Sequence, residues 1–227
     1  MLKKLELVLL ILMVAGLVIL NRNIGDLVNS DTIEIEERTV ILDAGHGGSD
    51  PGKVGINNAL EKEINLEISK KVKALLEAKE IKVIMTREND EMLCEETADN
   101  KKREDMKRRT EMINEIRPFL VVSIHQNSFS DASVSGAQVF YYSGSEESEK
   151  MAVLMQNALR EVDEQNQREA KANDSYYLLK KTKVPTLIVE CGFLSNPEEA
   201  EKLVTDEYQD AISNACVWKW WTVCQYN

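Results

Sequence analysis

The sequence predicts one α/β domain with a central, largely parallel β-sheet between layers of helices. Short apolar runs of strand length, at Val40–Leu42, Phe119–His125 and Pro185–Glu190, alternate with longer stretches in which apolar residues recur every three or four positions. Strands that alternate with helices in this way form parallel sheets through β-α-β units. The roughly 190 residues from Thr39 onward are enough for one such domain with a sizeable core.

The first β-α-β unit follows the strand at Val40. Glu61–Lys79 places Ile64, Ile68 and Val72 at helical spacing, and it leads into a strand predicted at Ile81–Met85. The remaining predicted elements are a helix at Lys101–Ile116, a strand at Gly136–Tyr142, a helix at Glu146–Asn166, a short strand at Tyr176–Leu179, and helices that begin at Asn196–Pro197 and Asp206.

The N-terminal segment predicts export. Two lysines precede Leu7–Leu20, a stretch of 14 residues without a charge, as in a secretory signal. As a helix this stretch spans about 21 Å, short of the roughly 30 Å hydrocarbon core of a bilayer, and no clear small-residue cleavage site follows it. Residues 1–21 are therefore predicted to be a signal peptide or a signal-anchor helix. Residues 22–38 are a polar tether, and residues 39–227 form the exported domain.

The charge of the chain excludes some partners. A net charge of −11 argues against nucleic acid, and against an anionic membrane surface as the main partner, so membrane contact is expected only through the N-terminal segment. The Lys/Arg-rich helix predicted at Lys101–Ile116 is interrupted by Glu104, Asp105 and Glu111. This mixture favours a solvated helix face over a nucleic-acid site.

Four ionisable residues stand where predicted strands end or a helix begins. His46 lies in the glycine-rich loop after the first strand, and His125 closes a later strand; they are the only two histidines of the chain. Glu190 ends another strand, and Glu61 opens the first helix. Because ligand sites collect at the carboxyl ends of strands in open α/β sheets, these side chains can converge. The ordinary alternatives are a structural histidine and a glutamate favoured by the helix dipole.

Five segments resemble, in order, the signature blocks of the zinc-dependent N-acetylmuramoyl-L-alanine amidases. They are LDAGHGGSDPG, LEKEINLEISKKV, a Met-Lys-Arg-Arg stretch ending at Arg109, FLVVSIHQNSF and VPTLIVECGFLSNPEEAEKL. The resemblance implies that His46, Glu61 and His125 bind zinc and that Glu190 is catalytic. It also implies a single three-layer domain of the phosphorylase/hydrolase-like type.

The resemblance brings in further residues around the site. Asp43 and Asn127 are candidates to orient the imidazoles or the substrate, although a strand-end Asp and a loop Asn are as often turn caps. Arg109 matches the helix arginine of the family, and Asn173 lies in a region that approaches the substrate groove in relatives. Gln126 stands where many relatives have a small residue, a departure that bears on substrate fit more than on metal binding.

The chemistry explains why the family needs these residue types. Two imidazoles and one carboxylate give zinc three protein ligands and leave a position for water, which is the arrangement of catalytic sites. Zinc lowers the pKa of water to about 7, and a carboxylate such as Glu190 can accept the water proton and return it to the leaving amine. The resemblance therefore implies hydrolysis of the amide between N-acetylmuramic acid and L-alanine in peptidoglycan.

The short build, the export segment and the SIHQNSF block are most similar to the spore-cortex, germination-related branch of the family. In that branch, removal of stem peptides precedes the formation of muramic-δ-lactam by a second enzyme. This implies action outside the cytoplasm, in the cortex or intermembrane space of the forespore, with an accessory or regulatory protein as a further candidate partner. A zinc peptidase that cuts within stem peptides and a non-catalytic wall-binding regulatory module remain as alternatives.

Overall fold

The structure, a computed structural model, describes residues 39–95 and 97–224, apart from the side chains of residues 218–224. The predicted signal or anchor segment and its tether, residues 1–38, lie outside the described residues. Within the described ranges, each helix is too short or too polar to cross a membrane.

The described part of the chain contains six strands and six helices. In order they are β1 Val40–Ala44, α1 Glu61–Glu77, β2 Val83–Met85, α2 Lys101–Ile116, β3 Leu120–Asn127, β4 Gln138–Tyr141, α3 Glu146–Val162, β5 Lys171–Ala172, α4 Tyr177–Lys181, β6 Thr186–Phe193, α5 Pro197–Leu203 and α6 Asp206–Cys224.

The strands form one mixed sheet in the order β2-β1-β3-β6-β4-β5. All neighbouring strands are parallel except β4 and β6. The chain leaves β1 for β2 on one side and returns to β3 on the other side, so the strand order reverses beside β1. In open α/β sheets, a ligand crevice opens at such a reversal, outside the carboxyl ends of the strands.

Helices cover both faces of the sheet. Helices α1, α3 and α6 pack over one face, where Val40, Leu42 and Leu120 join the main core. Helices α2 and α4 cover the other face, onto which the intervening residues Ile41 and Val121 project. The alternation follows from the two-residue period of a strand that is buried on both faces. The predicted three-layer α/β fold is confirmed.

The short strand predicted at Tyr176–Leu179 is wrong, because this segment leads into the one-turn helix α4. Leu178 packs beneath β1 and β3, while Leu179 packs against Phe140 of β4, so the turn buries both leucines in different clusters. An apolar run of four residues does not distinguish a strand from a helical turn. The last strand of the sheet is instead β5, whose two side chains are exposed and carry no apolar pattern.

Other boundaries shift by a few residues. His125 and Glu190 lie inside their strands rather than at the ends, because β3 continues to Asn127 and β6 to Phe193 through a β-bulge. Helix α1 ends at Glu77 instead of Lys79, and α3 ends at Val162 instead of Asn166. The predicted start of α5 is confirmed: the Asn196 side chain accepts hydrogen bonds from the N–H groups of Glu198 and Glu199, with proline at the first helical position.

Two helical valines provide a test of the core. Val72 of α1 is 1% exposed and Val153 of α3 is 46% exposed. We expect Val72→Ala to lower the free energy of unfolding by about 2 kcal/mol, because it leaves a cavity under the sheet. The matched change Val153→Ala should alter it by less than about 0.5 kcal/mol. Urea unfolding followed by circular dichroism measures both, and equal losses would contradict the packing described for α1.

Candidate metal centre

His46 is the residue at which the chain turns away from β1. Its φ is 62°, in the left-handed region that residues with a Cβ rarely adopt. Such conformations persist where the surroundings fix them. Here the His46 carbonyl accepts a hydrogen bond from Arg109 Nη2 at 2.7 Å, and an antiparallel bridge joins Gly47 to Asp50. The turn brings the imidazole across to β3, with its ring centroid 5.0 Å from that of His125.

Two glycines let the loop pack tightly around these side chains. A Cβ at position 45 would lie 2.3 Å from the His125 ring. A Cβ at position 52 would lie 2.5 Å from Glu61 Oε2 and 2.8 Å from His46 Cδ2, and Gly52 also has a positive φ of 69°. Any larger residue at either position would displace the imidazoles or the carboxylate.

His46, Glu61 and His125 converge at the strand reversal. Glu61 Oε1 lies 3.2 Å from His46 Nε2 and 3.0 Å from His125 Nδ1. One nitrogen from each imidazole and one oxygen from the carboxylate all lie within 4.8 Å of one another. Three nitrogen and oxygen donors at this spacing, from three separate elements, fit a divalent metal ion. The structure therefore brings together the three residues predicted as ligands.

The charges of this group favour a cation. Burial alone would raise the pKa of Glu61, but hydrogen bonds from His125 and His46 outweigh it and hold this pKa far below its ordinary value. Burial would lower the pKa of His125, yet Glu61 raises it to about 8. The carboxylate of Glu61 is thus ionised at neutral pH, and its negative charge favours a proton on the neighbouring imidazole of His125. A bound metal ion would replace the proton on His125.

Asp50 orients His46, a role that the sequence analysis missed. Its carboxylate lies 2.8 Å from His46 Nδ1, on the side of the ring opposite Glu61. An imidazole that binds metal through one nitrogen commonly donates the N–H of the other to a carboxylate, which fixes the ring and its tautomer. The available signal was an acidic residue four positions after the histidine, in the same glycine-rich loop.

Asp43 and Arg109 form a buried ion pair beneath the loop. Arg109 Nη1 donates to Asp43 Oδ1 at 2.7 Å, and Arg109 Nε donates to Asp105 Oδ2 at 2.7 Å. Burial would raise the pKa of Asp43, but Arg109 and a hydrogen bond from Ser123 lower it to about 2. The guanidinium also donates to the carbonyl of His46. Arg109 therefore faces the loop backbone, and it is 1% exposed.

Arg87, also missed in the sequence, supports the same loop from the other side. Its side chain is 2% exposed. Nε donates to the carbonyl of Ala44 at 2.9 Å, and Nη2 donates to the carbonyls of Gly45 at 3.0 Å and Lys62 at 2.7 Å. These hydrogen bonds tie the loop after β1 to the first turn of α1, which carries Glu61.

Glu190 lies beside the three predicted ligands. It is the register partner of His125 across the parallel β3–β6 pair, so both side chains project from the same face of the sheet. Glu190 is 6% exposed, and burial raises its pKa. Its Oε1 lies 3.4 Å from the Tyr176 hydroxyl, and its Oε2 has no hydrogen-bond partner in the described part of the chain. Both residues line a cavity of about 80 Å³ together with His125.

The other candidate residues lie around this group. The side chain of Asn127 accepts a hydrogen bond from the N–H of Ser128 at the end of β3. Asn173 caps a local turn by accepting hydrogen bonds from the N–H groups of Ser175 and Tyr176. Gln126 is 3% exposed and donates to Asn65 of α1, so this departure from the family pattern lies beneath the site, not on its open side.

Comparisons with known proteins agree with this geometry. A family model described as N-acetylmuramoyl-L-alanine amidase matches residues 40–217. The germination-specific N-acetylmuramoyl-L-alanine amidase of Bacillus subtilis is 38% identical over 187 residues, which are 81% of this chain and 78% of that protein.

Solved structures show the same fold. The CwlD amidase from Clostridioides difficile, determined in complex with the GerS lipoprotein, matches with a TM-score of 0.81 at 38% identity, over 84% of this chain and 100% of that chain. The catalytic domain of CwlV, an N-acetylmuramoyl-L-alanine amidase from Paenibacillus polymyxa, matches with a TM-score of 0.69 at 26% identity, over 79% of this chain and 93% of that chain.

The buried ion pair beneath the loop can be tested by substitution. We expect Arg109→Met to lower the free energy of unfolding by about 3–5 kcal/mol, because it leaves Asp43 and Asp105 buried without their cation. Arg108 is the matched control, since it is the adjacent residue on α2, is 52% exposed, and pairs with Glu104 and Glu111 on the helix surface. Arg108→Met should cost less than about 1 kcal/mol. Similar losses in urea unfolding would refute a special role for Arg109.

The orienting role of Asp50 predicts an effect on metal affinity. Asp50→Asn should weaken binding of Zn²⁺, used as the probe, by about 10–100-fold, because His46 loses its charged acceptor. Asp131→Asn, an exposed residue whose side chain accepts hydrogen bonds from Ser133, should leave affinity unchanged. Competition with a chromophoric chelator measures both constants. An unchanged constant for Asp50→Asn would mean that the contact with His46 does not support metal binding.

Proposed function

Because the chain belongs to the N-acetylmuramoyl-L-alanine amidase family, we propose that it uses zinc to cut the amide between N-acetylmuramic acid and L-alanine in spore-cortex peptidoglycan. The enzyme class follows from the family match over residues 40–217. The observation that carries the proposal is the convergence of His46, Glu61, His125 and Glu190 in one crevice at the strand reversal.

The donor set supports zinc as the ion. We assign His46, Glu61 and His125 as the ligands, two imidazoles and one carboxylate, which leave coordination positions open for substrate or water. When bound, zinc polarises the scissile carbonyl and makes water acidic enough to act as a nucleophile near neutral pH. Asp50 holds the His46 ring in its ligating tautomer, and Arg109 and Arg87 hold the loop that carries it.

Glu190 is assigned as the general base and acid. It takes a proton from water as the water oxygen forms a bond to the lactyl carbonyl carbon of muramic acid. It then gives this proton to the nitrogen of L-alanine as the carbon–nitrogen bond breaks. The products are the lactyl carboxylate and a stem peptide with a free amine. A carboxyl group whose pKa is raised by burial suits this exchange, because it holds the proton more readily between the two steps.

The relatives support a location and a biological setting. Similarity to the germination-specific amidase of Bacillus subtilis favours the spore cortex, reached from the intermembrane space of the forespore, with residues 39–227 as the exported catalytic domain. Stem-peptide removal there would precede muramic-δ-lactam formation by a second enzyme. The amidase from Clostridioides difficile was solved with a lipoprotein, and by analogy an accessory protein of this kind is proposed here.

The proposal predicts a distinct behaviour for two substitutions. The purified protein should release intact stem peptides, each with a free N-terminal L-alanine, from cortex peptidoglycan. Glu190→Gln should keep one zinc ion per chain but lose activity by about 10²–10⁴-fold, because no group then exchanges the proton. His125→Ala should lose both zinc and activity. Zinc content by elemental analysis and product masses by mass spectrometry give the readouts.

Glu198→Gln is the control for Glu190→Gln, since Glu198 is an exposed glutamate at the start of α5. It should keep full zinc content and full activity. Release of peptide fragments that lack L-alanine would instead identify a peptidase. A Glu190→Gln protein that remains fully active would remove Glu190 from the mechanism while leaving the family assignment intact.

A further inference from the structure

We propose that Tyr176 is a positioning residue for Glu190: its hydroxyl donates a hydrogen bond to Oε1 and leaves Oε2 to exchange the proton. The inference rests on the proposed role of Glu190 as general base. It goes beyond that role, because it assigns different tasks to the two oxygens of the carboxylate and names the residue that separates them.

The two oxygens of Glu190 lie in different surroundings. Oε1 is 3.4 Å from the Tyr176 hydroxyl, and Oε2 is buried without a hydrogen-bond partner among the described residues. Buried carboxylate oxygens are normally hydrogen-bonded, so an oxygen without a partner beside His125 and the cavity is the one placed to meet a reacting water. The contact to Oε1 is longer than an ideal O–H···O bond. Catalytic hydrogen bonds are often long before substrate binds, and they shorten in the complex.

The backbone holds Tyr176 in place before the helix begins. Asn173 Oδ1 accepts a hydrogen bond from the N–H of Tyr176 at 3.1 Å, and the N–H of Asn173 donates to the carbonyl of Tyr141 at 2.8 Å. The turn is thereby anchored to β4. Tyr176 precedes the first residue of α4, and its carbonyl accepts a hydrogen bond from the N–H of Lys180 in that helix. The hydroxyl is thus presented by a fixed turn and a helix start.

Packing fixes the direction of the ring. Tyr176 meets Phe140 edge to face, with ring centroids 5.5 Å apart and an interplanar angle of 82°. Phe140 is the register partner of Ile188, which lies two residues before Glu190 on the same strand. The ring therefore lies on the face of the sheet from which Glu190 projects, and it forms one wall of the cavity.

The phenol keeps its proton in this environment. Burial and the nearby Glu190 carboxylate raise the pKa of Tyr176 to about 12. At neutral pH the group is therefore a neutral donor, and it cannot replace Glu190 as the proton acceptor. A hydroxyl needed only for packing would be dispensable, since phenylalanine fills nearly the same volume. Among the described residues, Glu190 Oε1 is the acceptor that this hydroxyl reaches.

The test compares Tyr176→Phe with Tyr142→Phe in the full-length protein. Tyr142 packs at the edge of the same cluster of Phe140, Leu179 and Ile188, is only partly buried, and lies outside the metal centre and the Glu190 cavity. Each substitution removes one hydroxyl. The measurements are kcat and KM on solubilised cortex fragments, zinc content and the thermal unfolding temperature.

We expect Tyr176→Phe to lower kcat by about 10–100-fold, the effect of losing one hydrogen bond to a charged group, with KM changed by less than about two-fold. Zinc content and unfolding temperature should match the wild type, and Tyr142→Phe should match it in every readout. A kcat within two-fold of the wild type would overturn the proposal. A loss of zinc or of folding stability in Tyr176→Phe would also overturn it, in favour of a structural role. The kcat of each variant relative to the wild type tests the role of Tyr176. The product masses test separately which bond is cut, so a failure of the proposed function can be distinguished from a failure of this inference.

Discussion

One ionised carboxylate, that of Glu61, is buried beneath two imidazoles, and the arrangement of the site depends on it. Glu61 is 2% exposed, and a charge so deeply buried costs several kcal/mol unless other groups compensate it. Besides the imidazoles, the N–H of Lys53 donates to Oε2 at 2.7 Å and the N–H of Gln126 donates to Oε1 at 3.1 Å. These donors come from the loop after β1 and from β3, while Glu61 opens α1, where the helix dipole favours a negative charge. Loop, strand and helix must all be in place before the carboxylate is stable.

The loop itself depends on two buried arginines. At the end of β1 the backbone carbonyls turn away from the sheet, and buried carbonyls need donors. The carbonyl of Ala44 accepts hydrogen bonds from both Arg87 and Arg109, that of Gly45 accepts from Arg87, and that of His46 accepts from Arg109. The two guanidinium groups repel each other, and burial together with Arg109 lowers the pKa of Arg87. The ionised Asp43 of β1, which pairs with Arg109 of α2, offsets part of this repulsion.

Local patterns predicted much of the fold, and contacts between distant segments account for what was missed. The apolar runs of β1, β3 and β6, the start of α1 at Glu61 and the cap at Asn196 were all visible in short windows of sequence. The segment at Tyr176–Leu179 was assigned wrongly because its state is decided by two separate clusters that it bridges. Arg87 was missed because its partners, the loop carbonyls, take their positions only after β1, β2 and α1 come together. Asp50 lies four residues after His46, but the nitrogen of the ring that it meets is fixed by Glu61 of α1 on the other side of that ring. The ligand and base assignments stay predictions, although the structure gathers those four residues.

Glu61 and Glu190 are both buried beside His125, but their pKa values are shifted in opposite directions. The backbone around each residue explains the difference. The pKa of Glu61 is lowered and that of Glu190 is raised. Within a sheet, backbone N–H groups are used in strand pairing, so Glu190, in the middle of β6, finds no backbone donor for its side chain among the residues that the structure describes. Glu61 lies where a helix begins and a loop passes, and such N–H groups are available there. The β-bulge at Gln126 supplies one more backbone donor. The shift of register between His125 and Asn127 leaves the Gln126 N–H free of strand pairing, and it donates to Glu61. The same residue type is therefore suited to hold a cation at one position and to carry a proton at the other.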